Sequence, residues 1–148
     1  MELARYQRRF SKSFRQHVHN SFRAKVIQPT NPLDLGDLFD FDLYVQILEA
    51  VLRIKAVKGI LFHHGAIGKE EEASRRLVQK VKELAFHYQK PVAFCYFTSE
   101  EELAFVNRLV EYPIFLDPTD ALEALAISRD HYLGKKKEKG RPVSFRVK

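Results

Sequence analysis

The sequence predicts an α/β fold, a three-layer α/β/α sandwich on a parallel sheet of about four strands. Short apolar runs alternate with longer segments whose apolar residues recur at helical spacing. One run, Val92 to Phe97, is apolar at every position, as a strand covered by helices on both faces requires. Because helices connect the predicted strands, the strands are expected to be parallel and joined by right-handed crossovers.

Size and composition are those of an ordinary globular domain. A chain of 148 residues can bury a core without disulfides or a metal. The single cysteine, Cys95, lies in the apolar run and is expected to be a small buried hydrophobic residue rather than a nucleophile. The apolar stretches are shorter than a membrane span, and no apolar signal segment follows the basic N-terminus. These features predict a cytoplasmic protein with no membrane span.

The net charge of +6 is concentrated at the two ends of the chain. Residues 1–25 carry seven Lys or Arg and one Glu, and residues 135–148 also carry seven and one, so each segment has a net charge of +6. Residues 26–134 carry 11 basic and 17 acidic residues, a net charge of −6. This distribution predicts a basic N-terminal helix or arm (1–25), an α/β domain (26–134) and a basic C-terminal tail (135–148).

The N-terminal segment has an aromatic stripe. Five residues recur at every fourth position, with Lys and Arg between them: Tyr6, Phe10, Phe14, Val18 and Phe22. This spacing predicts an amphipathic helix. Such a helix could bind an acidic partner, a membrane surface or nucleic acid. Because evenly spaced aromatics usually mark packing, we expect the stripe to dock on this domain or on a neighbouring one.

Proline, glycine and capping residues delimit the elements up to the first long helix. Val26-Ile27 is a candidate short strand, and a proline-rich loop follows it. Asp40 to Ile54 predicts a helix capped by Asp40 or Asp42, with a buried face made by Leu43, Ile47, Val51 and Ile54. A strand over Lys58 to Phe62 then leads through two histidines and a turn, Gly65 to Gly68, into a helix from about Lys69 to Tyr88.

The second half repeats the pattern. Pro91 precedes the apolar strand, and Ser99 with Glu102 forms a capping-box pattern for a helix over Glu100 to Val110. A short strand, Ile114 to Leu116, comes next. Either Asp117, with Pro118 at the first helical position, or Thr119 would cap a last helix from Ala121 to about Tyr132.

Ligands of open parallel sheets bind beyond the carboxyl ends of the strands. In this chain those loops contain His63, Thr98, Ser99, Asp117 and Thr119. A receiver-type phospho-acceptor site would need carboxylates at the ends of the early strands, where this chain has His63, His64 and Thr98. A dinucleotide site would need three correctly spaced glycines, and only Gly65 and Gly68 are present, at the wrong spacing. His63 and His64 are adjacent, so on a strand they point to opposite faces, and no metal site is expected.

The turn before the long helix is a candidate phosphate site. Its residues are Gly65, Ala66, Ile67 and Gly68, and a helix beginning there would present free backbone N–H groups to an anion. Three acidic residues, Glu70 to Glu72, already supply negative charge to the same helix turn. The alternative is therefore a helix whose N-terminus is stabilised by its own acids.

The succession of motifs resembles a known family. The motifs are Asn31-Pro32-Leu33-Asp34-Leu35-Gly36, the helix with Tyr44, the strand of Gly59 to Phe62, Lys90-Pro91-Val92, Tyr112-Pro113-Ile114-Phe115, and Pro118 to Ala126. In order and spacing they resemble the last flavodoxin-like domain of ADP-forming acyl-CoA synthetases over about Asn31 to Tyr132. The domain is similar to the C-terminal, CoA-ligase-type domain of the succinyl-CoA synthetase β subunit. That domain has a Gly-Gly-Ile turn, and Gly65-Ala66-Ile67 of this chain matches it.

The resemblance implies chemistry that passes through an acyl phosphate and a phosphohistidine. It implies that the helix start at Gly65 to Glu70 helps to hold the phosphate, although the three glutamates depart from the family turn. His64-Gly65-Ala66-Ile67 also resembles the histidine string of the succinyl-CoA synthetase α subunit, which makes His64 a candidate catalytic residue, but in a different position relative to the strands. CoA, ADP or ATP and Mg²⁺ would bind only through partner domains, because no CoA-binding or ATP-grasp pattern is present here.

Two hypotheses of different classes follow. In the first, the chain is a detached domain or subunit of an acyl-CoA synthetase-like assembly, inactive alone and completed by CoA-binding and ATP-grasp partners or by a homo-oligomer. In the second, it is a non-enzymatic binding module whose basic termini hold an acidic partner such as nucleic acid. Contacts to a polyanion weaken steeply with salt, whereas apolar docking does not, so ionic strength discriminates between the two.

Overall fold

The computed structural model of this chain describes residues 10–21, 30–35, 40–65 and 70–139. The chain divides into two compact units, Met1–Ile54 and Lys55–Lys148. The boundaries predicted from charge lay after residues 25 and 134, so the division after Ile54 places the helix that follows Asp40 with the N-terminal unit. The predicted strand Val26-Ile27 lies outside the described residues.

The first unit contains helix α1 (Lys12–Ser21) and helix α2 (Phe41–Leu52). Phe14 and Val18 of α1 are buried together with Ile47 of α2. Partly buried apolar residues surround this cluster: Phe10, Leu33, Leu35, Leu43, Ala50, Val51 and Ile54. The predicted docking of the aromatic stripe on its own chain is therefore confirmed for its described members, Phe10, Phe14 and Val18; Tyr6 and Phe22 lie outside the described residues.

Helix α2 begins where the sequence predicts. Asp40 is its N-cap, and the side chain accepts a hydrogen bond of 3.0 Å from the backbone N–H of Leu43. This satisfies one of the backbone donors that the first helical turn leaves without a partner.

The second unit contains a parallel sheet. Its described strands are β1 (Ile60–Gly65), β2 (Val92–Phe97) and β3 (Ile114–Phe115), in the spatial order β1-β2-β3. Strand β2 pairs with both neighbours and is central, as its apolar sequence predicts. About four strands were expected, and the described residues form three.

Helices cover both faces of this sheet. Helix α3 (Glu71–Tyr88) packs on β2 and on helix α4 (Glu100–Val110), while helix α5 (Pro118–Lys139) packs on all three strands. The two crossovers, through α3 and α4, lie on one face because the strand order advances in a single direction. The second unit is thus the predicted α/β/α arrangement and is compatible with a flavodoxin-like fold.

The predicted end of strand β1 is wrong. Strand β1 was expected to end at Phe62, but it continues through Gly65 because His63 and His64 pair with Cys95 and Tyr96 of β2. Gly65 is therefore the last residue of the strand rather than the first of the turn.

The last helix begins at Pro118, as the alternative with Asp117 as its cap predicts, and it ends later than predicted. Asp117 accepts a hydrogen bond of 2.6 Å from the backbone N–H of Thr119, and proline is favoured at the first helical position. Of the two caps proposed, Asp117 is the one used. The helix continues to Lys139, five residues into the segment predicted to be a basic tail.

Replacing Phe14 by Ala should destabilise the first unit by about 3–5 kcal/mol, because a buried aromatic ring is lost and leaves a cavity. Arg15→Ala, on the exposed side of the same helix, should change the free energy of unfolding by less than about 0.5 kcal/mol. Urea unfolding of the full chain, followed by helical circular dichroism, measures both. Equal effects of the two substitutions would contradict the packing of α1 on α2.

Candidate functional site

Five side chains form a polar group at the carboxyl ends of β1 and β2. We call His64, Ser74, Tyr96, Thr98 and Glu102 the carboxyl-edge cluster. Strand pairing brings two of them together, because His64 lies opposite Tyr96 in the register. Their rings stack with centroids 5.7 Å apart and an interplanar angle of 12°. One step down the same sheet face, Phe62 stacks on Phe94 at 5.3 Å.

His64 is buried and bonded to the first long helix of the second unit. Its Nε2 lies 2.9 Å from Oγ of Ser74, and the His64 side chain is 8% exposed. Burial lowers the pKa of His64 to about 4, and the charge of His63 adds to the effect. His64 is therefore neutral at pH 7, and its ring shares a hydrogen bond with the Ser74 hydroxyl.

The two adjacent histidines have different environments. His63 is exposed, whereas His64 is buried against α3. The prediction that they point to opposite faces is confirmed.

Tyr96 and Thr98 contribute two enclosed hydroxyls. Neither Tyr96 Oη nor Thr98 Oγ1 has a hydrogen-bond partner in the part of the chain that the structure describes. Burial raises the pKa of Tyr96. The hydroxyls of Ser74 and Thr98 are close enough to oppose part of that rise, although neither meets hydrogen-bond geometry with Tyr96 Oη. The cluster thus contains polar atoms that packing has enclosed without full satisfaction.

Glu102 is held by an arginine of α3. Its carboxylate accepts two-pronged hydrogen bonds from Arg75, with Nε at 2.8 Å from Oε1 and Nη2 bonded to Oε2. The Arg75 guanidinium also lies 4.2 Å from the centroid of the Phe105 ring. This ion pair ties α3 to α4, since one partner comes from each helix.

Of the two hydrogen bonds of the predicted capping box, the structure shows the one accepted by the Ser99 side chain. Ser99 Oγ accepts a hydrogen bond of 3.2 Å from the backbone N–H of Glu102, as predicted. The Glu102 side chain binds Arg75 instead of serving the cap, because a buried carboxylate requires a charged partner.

Cys95 and Asp117 have structural environments. Cys95 is fully buried, and its thiol donates to the backbone carbonyl of Leu116 at 3.3 Å. Burial, with a smaller effect of Asp117, raises the pKa of this thiol. The prediction of a small buried hydrophobic residue is confirmed. The backbone N–H of Thr119 lowers the pKa of Asp117, which is consistent with its role as a cap.

The residues predicted in the loops beyond the carboxyl ends of the strands lie in different places in the structure. His64 and Thr98 belong to the cluster, and Ser99 lies next to it as the cap of α4. Asp117 and Thr119 lie instead at the start of α5, and His63 is on the opposite face from His64. Of the candidate phosphate site, only Gly65 is described; Ala66, Ile67 and Gly68 lie outside the described residues, so that site stays a prediction.

Sequence reasoning missed Ser74, Tyr96 and Glu102 as a group. One signal was available for Ser74, which precedes Leu77 by three residues and so shares the inward face of the helix with Leu77 and Val81. A hydroxyl on an apolar face requires a partner. Its position opposite a strand histidine is known only from the tertiary structure.

The carboxyl-edge cluster contains hydroxyls and an imidazole that could act as a base, but these groups are buried. His64, Ser74, Tyr96 and Glu102 are each less than a tenth exposed. A catalytic nucleophile must be reached by its substrate, so within the described residues this arrangement stabilises the fold. In the same described part, no group of three or more His, Cys, Asp or Glu could hold a metal ion.

None of the described helices is both long enough and apolar enough to cross a bilayer.

Comparison of the chain with protein-family models, with curated proteins and with solved structures finds no match.

The buried, neutral His64 should make stability depend on pH. Its folded pKa of about 4 lies below the unfolded value of 6.5, so the unfolded chain binds the proton first. The contribution of His64 is complete above pH 6.5 and is lost as the pH falls towards 4, by up to about 3 kcal/mol.

Urea unfolding at several pH values between 7 and 4 tests this dependence. His64→Gln should flatten it, and the matched control His63→Gln, an exposed neighbour, should retain most of it, because burial is the larger cause of the lowered pKa of His64. If the His64 variant loses stability with acid as steeply as the parent protein, the burial of a neutral His64 is contradicted.

Tyr96→Phe removes a buried hydroxyl that has no described partner, so we expect the free energy of unfolding to stay the same or rise by about 1 kcal/mol. The control is Tyr112→Phe. The Tyr112 hydroxyl donates to the backbone carbonyl of Val92 at 2.5 Å, and its removal should cost about 1 kcal/mol. Thermal and urea unfolding compare the two variants; a loss at Tyr96 as large as that at Tyr112 would indicate a partner for the Tyr96 hydroxyl.

Proposed function

We propose that this chain is a detached domain or subunit of an assembly that resembles an ADP-forming acyl-CoA synthetase. The reaction of such an assembly converts acyl-CoA, ADP and phosphate into the acid, CoA and ATP. In this proposal the chain is inactive alone. CoA, ADP or ATP and Mg²⁺ are bound by CoA-binding and ATP-grasp partners, and a cytoplasmic location goes with these cosubstrates.

The observation that carries the proposal is the match between the motifs and the elements. Lys90-Pro91-Val92 leads into β2, Tyr112-Pro113 leads into β3, and Pro118 to Ala126 forms the first turns of α5. These strands are parallel, with helices on both faces, as the resemblance requires. The motifs thus occur where the resembled domain would use them.

The enclosure of the carboxyl-edge cluster supports the absence of activity in the isolated chain. The described groups that could transfer a proton, His64, Ser74 and Tyr96, are buried. A phosphorylated His64 would require the ring to leave Ser74 and become exposed. We therefore assign His64 to the fold and the chemistry to partners.

The turn after β1 remains the phosphate-holding element of this proposal. Two of the glutamates that would repel a phosphate there have cationic neighbours: Glu72 pairs with Arg76 at 2.7 Å, and Glu71 lies 3.8 Å from Arg75. These pairs offset part of the negative charge at the start of α3. Among the residues that the structure describes, a Cβ at Gly65 would touch only Phe97, at ordinary contact distance.

The partner surface that we propose is the apolar carboxyl edge of the sheet, at the ends of β2 and β3. Phe97 ends β2 and is 60% exposed, and Leu116 directly follows β3 and is also exposed. Large exposed apolar side chains on neighbouring strand ends are typical of a surface that a partner covers.

The second candidate function is a binding module for a polyanion such as nucleic acid. The observation that favours it is the extension of α5 to Lys139, because a helix then carries four lysines of the basic C-terminal segment. Basic residues clustered along a helix are a common electrostatic footprint of nucleic-acid binding.

Affinity capture from the native, nuclease-treated lysate in moderate salt tests the first proposal. We expect an ATP-grasp or CoA-binding chain among the captured proteins. The reconstituted complex should form ATP from ADP, phosphate and an acyl-CoA. Phe97→Ser should reduce recovery of the partner roughly tenfold or more, since an apolar anchor is lost.

Ile127→Ser is the matched control, because Ile127 is 71% exposed but lies on α5 away from the strand ends. It should leave recovery unchanged. Capture of nucleic acid alone, and only when nuclease and salt are omitted, would support the binding module instead. Equal losses with both variants would contradict the proposed surface.

A further inference from the structure

The carboxyl edge of the sheet combines exposed apolar side chains with acidic ones. Phe97 at the end of β2 is 60% exposed, and Leu116 after β3 is 48% exposed. Glu100 and Glu101 begin α4 within four residues of Phe97. Asp120 lies in the first turn of α5, four residues after Leu116. In the part of the chain that the structure describes, none of these three carboxylates forms an ion pair. An occupant of this edge should therefore be both apolar and basic.

The chain itself contains a segment of this chemistry. Residues 140–148, which we call the distal tail, lie outside the described residues and have the sequence GRPVSFRVK. The distal tail carries three basic residues and no acidic one. Along its last six positions apolar residues alternate with polar and basic ones: Val143, Phe145 and Val147 with Ser144, Arg146 and Lys148. In an extended conformation this alternation gives one apolar side and one basic side, which complements an apolar and acidic edge.

The distal tail cannot cover the carboxyl edge of its own chain. Helix α5 begins at that edge with Pro118, and by Ser128 it lines a groove with the starts of β2 and β3, at the opposite edge. Its 22 residues are about 33 Å long, so Lys139 is about 30 Å from the carboxyl edge. Phe145 follows Lys139 by six residues, which span at most about 22 Å. Phe145 therefore stays roughly 10 Å short of Leu116.

We propose that the carboxyl edge of one copy of this chain binds the distal tail of a second copy, with Phe145 packed on Phe97 and Leu116. Burial of Phe145 supplies the apolar contact, and the basic residues of the tail pair with the acids at the starts of α4 and α5. The proposal rests on the carboxyl edge that is assigned above to the partner, although not on the identity of that partner. A second copy occupies this edge when the partner is absent.

Sedimentation velocity of the full, nuclease-treated chain over a range of concentrations tests the proposal. The copies should associate reversibly as the concentration rises. A roughly tenfold increase in salt should weaken the association, since the opposite charges are then screened. Phe97→Ser and Phe145→Ser should each weaken it about tenfold or more, because each removes one side of the apolar contact.

A charge reversal tests the electrostatic part of the contact. Glu101→Lys should weaken the association, because it places a cation opposite the basic tail. Glu111→Lys is the matched control, since it makes the same change of net charge on an exposed residue at the other end of α4. It should leave the association unchanged. Thermal unfolding of each variant verifies that it is folded.

A mixture of the two serine variants identifies the two sides of the contact. The Phe97→Ser chain retains an intact distal tail, and the Phe145→Ser chain retains an intact carboxyl edge. An equimolar mixture should therefore associate more strongly than either variant alone. A contact between two edges, or between two tails, would not be recovered by mixing.

Three outcomes would overturn the proposal. The first is a chain that stays monomeric at every concentration. The second is association that Phe145→Ser leaves unchanged, which would assign the edge to another segment. The third is a mixture that associates no more strongly than its separate components. None of these outcomes affects the capture of an ATP-grasp or CoA-binding chain, which Phe145→Ser should leave intact, so this proposal and the proposed function can fail separately.

Discussion

The parallel pairing of β1 with β2 is the constraint on which the second unit depends. Six residues of each strand are in register, from Ile60 opposite Val92 to Gly65 opposite Phe97. Because side chains alternate across a sheet, this register places the aromatic pair Phe62 and Phe94 and the ring pair His64 and Tyr96 on one face. A slip of one residue would exchange the buried and exposed histidines. The α3 and α4 layer is therefore built on a specific set of side chains.

The polar groups at the carboxyl edge then explain why this edge is structural in the isolated chain. Burying an imidazole and a carboxylate is costly unless each has a partner. Ser74 supplies one for His64, and Arg75 supplies one for Glu102. Both partners come from adjacent positions of α3, so that helix is fixed both to the strand histidine and to α4. The same contacts that stabilise the layer keep these groups buried.

The two edges of the sheet consequently have different chemistry. Polar atoms at the carboxyl edge are enclosed, and the exposed side chains there include the apolar Phe97 and Leu116, which suits contact with another protein. The amino edge has a concave apolar lining.

Local sequence patterns determined the helices and strands. The run Val92–Phe97 and the segment Glu100–Val110 with its Ser99 cap follow from periodicity and capping, which depend on near neighbours. The buried face predicted for α2 was wrong in part: of Leu43, Ile47, Val51 and Ile54 only Ile47 is fully buried. The other buried residues of that helix are Tyr44, Leu48 and Leu52. The end of β1 and the partner of Glu102 could not be predicted in this way. Strand pairing extended β1 through His64, and a carboxylate placed to complete a cap found Arg75, 27 residues earlier in the chain. Contacts between distant residues decided these points, because the free energy of burying a polar group depends on which partner the folded chain brings within reach.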